Sequence, residues 1–346
     1  MQERKSIISL AETITLESFL LVWFMPINIL VTFILGSGLG WIVIKITRPP
    51  KHIEGLIIGC CSAGNLGNLL VIIIPATCKE KGSPFGDPDL CYQYGMAYAT
   101  LSMAIGAVFL WSYVYNIIRI SSSRLQIEGL SKVKEISQSK DTLDDAYTIL
   151  LPNPESQEKL KVSMATRIKS KVRKIVSSVN WKSMFAPSTI GAICGFMIGV
   201  IPQLRNVLIG SDAPLHVVED SVSMLGDAAI PTVTLIMGAN LLRGLRGAST
   251  PLWSIVGIVV VRYILLPLLG IVVVKGAIHL GLVKSDPLFQ FVLLLQYSLP
   301  PAMNIGTMAQ LFGSGESECS VIMLWTYALA SIAVTLWSTF FMWLVS

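Results

Sequence analysis

The chain has 346 residues, of which 53% are hydrophobic and 14% are charged, and its formal net charge is +5. Soluble domains carry about 25% charged residues, so most of this chain must face lipid or other apolar helices. The sequence contains no Walker A motif, no Ser-His-Asp arrangement and no metal-ligand spacing of cysteine and histidine. The composition excludes a soluble domain, and nothing in the motifs favours an enzyme, a metal, a cofactor or an ATP-driven carrier.

Eight stretches are apolar over the roughly 20 residues that a membrane span requires. Residues 119–181, after the third stretch, are polar and rich in Ser, Lys and Glu, which is typical of a mostly disordered loop. The predicted fold class is an all-α polytopic membrane protein with about eight complete spans. These spans cover residues 19–44, 53–77, 92–118, 184–204, 216–242, 252–275, 288–312 and 319–345.

The basic residues predict the orientation of these spans. If the spans alternate in direction, 18 of the 26 Lys and Arg residues fall on one side, and most of them belong to the loop at 119–181. The positive-inside rule then places this loop in the cytosol. Cys78 and Cys91 flank a loop on the opposite side, and they can form a disulfide if that side is lumenal.

Two of the predicted spans are interrupted by glycine, proline and asparagine. The first interruption reads GNLGNLLVIIIP over residues 64–75, and the second reads SLPPAMNIG over residues 298–306. Non-helical backbone at membrane depth is tolerated only where it is buried in protein or lines a cavity. A pair of broken spans in the two halves of a polytopic chain indicates the substrate site of a secondary transporter.

The interrupted spans supply candidate binding residues for an anionic substrate. Half-helix N-termini carry partial positive charge and bind a carboxylate without a basic side chain, and an asparagine amide adds a neutral donor and acceptor. The alternative is that the asparagines only bridge helices and that the prolines are ordinary transmembrane prolines. The first candidates are Asn68 and Asn304, Asn65 is a weaker one, and the prolines of the set are Pro75, Pro300 and Pro301.

Two charged residues lie near the middle of consecutive predicted spans. Asp227 and Arg262 are expected at similar depth, and each costs roughly 2.5–3.5 kcal/mol on insertion scales if it is unpaired. One interpretation is a fixed ion pair that clamps two helices, and this interpretation is preferred. The other is a proton or ion relay, or compensation of the substrate charge.

The three spans before the loop correspond in kind to the last three. In each set, a span with a single proline is followed by a broken span and then by a span with a late Leu-Trp-Ser. This correspondence predicts a first, incomplete transmembrane repeat over residues 1–118, the cytosolic loop over 119–181, and a second, five-helix repeat over 182–346. The first half would then lack one helix and most of another.

Six stretches outside the loop form a distinctive set: LAETITLES, WFMPINILVTF, KITRPPKHIEGLIIGCCSAGNLGNLLVIIIPA, SPFGD, YGMAYATLSMAIGAV and QYSLPPAMNIGTMAQLFG. This set resembles the plant PIN-LIKES (PILS) proteins of the auxin efflux carrier family. The resemblance implies a ten-helix carrier of two inverted five-helix repeats, an architecture shared with bile-acid symporters. The fourth helix of each repeat would be broken, and the breaks would cross at the substrate site. By resemblance, Asn68 and Pro75 fall on the first crossover. Pro300, Pro301 and Asn304 fall on the second.

The resemblance also implies a function. The chain would carry auxin (indole-3-acetic acid) or a similar small organic anion by alternating access, and would regulate intracellular auxin accumulation from the endoplasmic reticulum membrane. Two alternatives stay open. One is an ion-coupled symporter of another organic anion. The other is a truncated, non-transporting isoform that binds full-length family members. A homodimer is also left open, and no nucleic acid partner is expected.

Overall fold

The computed structural model describes residues 23–122, 194–195, 197–198, 201–209, 213–244, 251–283, 286–313 and 315–346. All regular elements within these residues are helices, which confirms the all-helical part of the predicted fold class. In chain order they are α1 (Phe24–Thr47), α2 (Lys51–Ser62), α3 (Asn68–Lys79), α4 (Pro88–Ser122), α5 (Pro202–Leu208), α6 (His216–Gly244), α7 (Leu252–His279), α8 (Pro287–Leu295), α9 (Asn304–Phe312) and α10 (Glu316–Val345).

Four of the described helices, α1, α4, α7 and α10, are long and apolar enough to cross a membrane. They coincide with four of the eight predicted spans, and α6 covers the predicted span at 216–242. Most of the predicted span at 184–204 and nearly all of the predicted loop at 119–181 lie outside the described residues. The count of eight spans and the division into two repeats therefore stay predictions.

The starts of α4 and α8 follow one local rule. Each helix begins with Asp-Pro, and the aspartate side chain accepts hydrogen bonds from two N–H groups of the first turn. Asp87 accepts from Asp89 and Leu90 at 3.0 and 3.1 Å. Asp286 caps α8 in the same way. The proline costs no hydrogen bond because the first N–H groups of a helix have no intrahelical partner.

Helices from the two ends of the described chain pack into one body. α1 packs against α2, α4 and α7, while α8 packs against α4, α7 and α10. Every residue of α8 from Leu288 to Leu295 is buried. The helix that leads into the second interruption is therefore surrounded by protein. Non-helical backbone at membrane depth is tolerated where protein surrounds it in this way.

Glycine allows α1 to approach α2 closely. A Cβ atom on Gly36 would collide with the carbonyl oxygen of Cys61, and one on Gly40 would lie 3.0 Å from the Cβ of the same cysteine. Gly38, between them, has open space around it. Small residues at two positions one turn apart bring the backbones together, as is common between transmembrane helices.

A disulfide joins Cys78 at the end of α3 to Cys91 in the first turn of α4, with the two Cα atoms 5.6 Å apart. The possibility left open from the sequence is therefore realised. The bond ties the second half of the first interrupted span to the helix that follows it.

Candidate functional site

Both predicted interruptions are present, and they meet. The first break, residues 63–67, separates α2 from α3, and the second break, residues 296–303, separates α8 from α9. The N–H of Asn65 donates to the carbonyl of Pro300 at 2.8 Å, and the N–H of Ala302 donates to the carbonyl of Ala63 at 3.0 Å. The two bonds run in opposite directions, so the breaks satisfy each other's backbone as neighbouring antiparallel strands do.

Gly64 and Pro301 face each other between these two hydrogen bonds, as an isolated antiparallel bridge. Residues at such a position direct their N–H groups away from the partner, so a proline removes no bond from the bridge. A Cβ on Gly64 would lie 2.9 Å from Nη2 of Arg262. The glycine therefore gives the arginine room beside the bridge.

The predicted asparagines are the first helical residues after the breaks. α3 begins at Asn68 and α9 begins at Asn304, and in this part of the structure neither helix has a side-chain cap. The first N–H groups of a helix lack intrahelical acceptors and carry partial positive charge. In α9, Ile305 and Gly306 bond back three residues, to Ala302 and Met303. The two half-helix N-termini thus follow directly on the bridge.

Asn68 is half-buried and reaches the other break. Its Nδ2 lies 3.7 Å from the sulfur of Met303, which is a weak acceptor. Its amide oxygen accepts no hydrogen bond from the other described residues. Asn304 is exposed. Both side chains therefore retain hydrogen-bonding capacity for a ligand.

Asn65 is placed differently from the other two asparagines. Its side chain is buried and donates to the hydroxyl of Tyr327 on α10 at 2.9 Å. This contact attaches the first break to α10, so the amide of Asn65 is engaged within the protein.

Pro75 is the one residue of the predicted set that lies away from the bridge. It is inside α3, seven residues after Asn68, which corresponds to about 10 Å along the helix. Pro300 and Pro301 both lie in the second break and are buried. The structure thus gathers the asparagines and two of the three prolines at the breaks, and it leaves Pro75 within a helix.

Arg262 contacts the last turn of α2 and the second break at once. It lies in a π-helical turn of α7 at Val261–Leu265 and is fully buried. Its Nη1 donates to the carbonyl of Cys61 at 3.4 Å, and its Nη2 donates to the carbonyl of Pro300 at 3.2 Å. The third nitrogen group, Nε, is buried and has no acceptor within the described part of the chain.

The predicted pairing of Arg262 with Asp227 stays untested. Asp227 belongs to α6, but its side chain lies outside the described residues. Among the side chains that are described, no carboxylate pairs with Arg262. The described contacts of this arginine are instead the carbonyls of Cys61 and Pro300.

A buried polar network at the second break was not predicted from the sequence. Asn28 on α1 donates to the carbonyl of Leu293 at 3.1 Å and to Oε1 of Gln296 at 2.8 Å. The hydroxyl of Tyr297 donates to Oδ1 of Asn28 at 3.0 Å, and Gln296 donates to Ser102 on α4 at 2.9 Å. All these side chains are fully buried. The available signal was weak: Asn28 is the one amide in the predicted span at 19–44, and Gln296 is one of four amides in the predicted span at 288–312.

Methionine side chains lie beside the start of α3. A Cβ on Gly67 would lie 3.2 Å from the Cγ of Met103 on α4. Met303, in the second break, contacts Asn68. Unbranched, polarizable side chains adapt to ligands of irregular shape, so this position suits the apolar part of a substrate.

Comparison with known proteins gives consistent results. Residues 6–338 match the family described as "Membrane transport protein". The chain is 54% identical to "Protein PIN-LIKES 3" of Arabidopsis thaliana, covering 97% of this chain and 85% of that protein. It is 55% identical to "Protein PIN-LIKES 1", covering 98% and 69%, and 28% identical to "Protein PIN-LIKES 6", covering 95% and 79%, both from the same plant. No solved structure matches the chain.

Proposed function

The chain belongs to the PIN-LIKES family of membrane transport proteins, and we propose that it carries auxin, indole-3-acetate, or a similar small organic anion. It is a multi-pass membrane protein and not an enzyme. The observation that carries the proposal is the bridge between the two breaks, with a half-helix N-terminus following on each side. The relatives' names support auxin as the first substrate to test.

The chemistry of the bridge supports an anion. Each half-helix N-terminus presents partial positive charge, and Asn68 and Asn304 add amide donors at these same positions. A carboxylate accepts several such hydrogen bonds at once. The indole ring would then rest on apolar side chains such as those of Met103 and Met303.

The antiparallel meeting of the breaks supports two inverted repeats. Helices from the two halves also exchange contacts: Asn28 on α1 donates to Gln296 in the second break, and Arg262 on α7 donates to the carbonyl of Cys61, two residues before the first break. In carriers of this type, one group of helices moves around a fixed site so that the site opens to each side in turn. We propose that the bridge is this fixed site.

The disulfide supports the orientation and the compartment. A bond between Cys78 and Cys91 persists in an oxidising environment, which the lumen of the endoplasmic reticulum provides. The excess of basic residues places the opposite side in the cytosol. Transport across this membrane would regulate how much auxin accumulates in each compartment.

Uptake of radiolabelled indole-3-acetate into proteoliposomes tests the proposal. The variants are Asn68→Ala and Asn304→Ala, and the control is Asn116→Ala. Among the described residues, the side chain of Asn116 bonds only to the carbonyl of Ser112 in its own helix. Hydrogen bonds to a charged group contribute about 1.5–3 kcal/mol, so we expect each site variant to lose about tenfold or more at low substrate concentration. Uptake that is saturable but equal in all four proteins would contradict the proposed site.

A further inference from the structure

We propose that Arg262 supplies the positive charge that makes the bridge selective for anions over neutral molecules of the same shape. This inference rests on the proposed function, and it names a specificity-determining residue on α7, outside both breaks. The two contacts to the carbonyls of Cys61 and Pro300 place the guanidinium directly beside the bridge.

The surroundings of Arg262 leave its charge without a counter-ion in the described structure. Among the described residues, the titratable groups that act on the guanidinium are the thiols of Cys61 and Cys60 and the phenols of Tyr263 and Tyr327. Thiols and phenols are uncharged near neutral pH. A fully buried guanidinium whose described neighbours are all neutral is costly to bury, and a bound carboxylate would supply a negative charge.

Support of the backbone alone does not require a charge at this position. In the last turn of α8, just before the second break, the carbonyl of Leu293 is bonded by Asn28, which is neutral. Asn28 lies on α1, the helix that corresponds to α7 in the proposed repeat. The arginine also donates to backbone carbonyls, but at the longer distances of 3.2 and 3.4 Å, and its Nε has no acceptor among the described residues. Because a neutral amide can bond such a carbonyl, we infer that the charge of Arg262 has a second function.

Gly64 keeps this charge close to the ligand position. A side chain on Gly64 would occupy the space that Nη2 of Arg262 takes beside the bridge. In the low dielectric of a protein interior, a charge at this position favours an anion over a neutral ligand even without direct contact. The guanidinium would also donate short, strong hydrogen bonds to a carboxylate that reaches Nε or Nη2.

The test compares the uptake of indole-3-acetate with that of its neutral amide, indole-3-acetamide, in proteoliposomes. We expect Arg262→Gln to lower the preference for the anion at least about tenfold and Arg262→Lys to retain most of it, because the lysine keeps the charge. Tyr113→Phe is the control, since it removes an exposed hydrogen bond to Ser37 without changing charge. It should leave the preference unchanged.

Several outcomes would overturn the inference. An equal loss of both substrates in Arg262→Gln would make the arginine a structural clamp only. A preference restored in Arg262→Gln by adding Asp227→Asn would make the two residues an ion pair. If Arg262→Gln does not fold, Gly64→Ala decides, because its Cβ displaces Nη2 of Arg262 and leaves both half-helix N-termini in place. An unchanged preference for the anion in Gly64→Ala contradicts the inference, and a lowered preference supports it. If the unaltered chain takes up neither compound, the proposed function fails first.

Discussion

The side chain of Asn65 donates a hydrogen bond to the hydroxyl of Tyr327 at 2.9 Å, and this hydroxyl donates in turn to the carbonyl of Pro301 at 2.8 Å. One phenol on α10 thus connects the two breaks across 26 residues on one side and 262 on the other. The contact complements the backbone bridge, and it gives the junction of the breaks a second attachment to the surrounding helices.

Replacing Tyr327 by Phe removes this connection. The amide of Asn65 and the carbonyl of Pro301 lose a partner in a buried region, which costs about 1–3 kcal/mol for each unsatisfied group. We expect a lower free energy of unfolding, measured by denaturant titration of the purified protein in detergent. The matched control is Tyr113→Phe, since the hydroxyl of Tyr113 bonds to Ser37 at an exposed position. Equal stability of the two variants would contradict the prediction.

A methyl group on Gly64 should disturb the bridge through Arg262. The Cβ would lie 2.9 Å from Nη2, so the guanidinium must move away from the carbonyl of Pro300. We expect Gly64→Ala to lower indole-3-acetate uptake several-fold while the protein still folds. Gly38→Ala is the control, because a Cβ there meets open space and alanine favours the helix. Unimpaired uptake by Gly64→Ala would show that the position of the arginine does not matter.

The hydrogen-bond network around Asn28 should contribute more to stability than one amide in an apolar span would suggest. Asn28→Ala leaves the carbonyl of Leu293, Oε1 of Gln296 and the hydroxyl of Tyr297 without this partner. We expect a loss of about 3 kcal/mol or more in the free energy of unfolding, because several buried groups become unsatisfied together.

Ser102→Ala provides the comparison for this network. The serine hydroxyl accepts one hydrogen bond from Gln296, so its removal should cost about 1–3 kcal/mol. A larger loss in Ser102→Ala than in Asn28→Ala, in the same denaturant titration, would place the centre of the network elsewhere.

The disulfide predicts a specific pattern of thiol labelling. Cys60, Cys61, Cys194 and Cys319 are free, and the remaining two of the six cysteines are bonded to each other. A mass-tagged maleimide applied to the denatured, unreduced protein should therefore add four tags, and six after reduction. Six tags without reduction would mean that the protein does not carry the bond in its native membrane.

Removing the disulfide should destabilise the end of the first interrupted span. A loop of about 15 residues closed by a disulfide contributes roughly 3 kcal/mol in the chain-entropy description. We expect the Cys78→Ser, Cys91→Ser double variant to unfold at lower temperature. Cys194→Ser, at an exposed free cysteine, should leave the unfolding temperature unchanged.

The general plan of this protein could be predicted from the sequence because membranes restrict what a chain can do. Apolar length alone predicted the four long helices, with ends that differ by a few residues from the structure. The same constraint made the two interruptions visible, since glycine and proline stand out within an apolar span. Asn68 and Asn304, chosen as amides next to these interruptions, are the first residues of α3 and α9.

The pairing of side chains across the chain could not be predicted in the same way. Nothing local indicates that Arg262 reaches Cys61, 201 residues away, or that Asn28 reaches Gln296, 268 residues away. Such contacts depend on how the helices pack and on small residues such as Gly64 that admit a neighbour. Pro75 shows that closeness in the sequence can also mislead: it follows Asn68 by seven residues, yet it lies within α3 and away from the bridge.

Equilibrium binding of radiolabelled indole-3-acetate to the purified chain in lipid nanodiscs tests the central claim, that the two breaks together form one anion site. The account predicts one bound molecule per chain, with the affinity reduced about tenfold or more by Asn68→Ala and by Asn304→Ala alike, and unchanged in Asn116→Ala. Saturable binding that survives either substitution, or two independent sites of which each variant removes one, would contradict it.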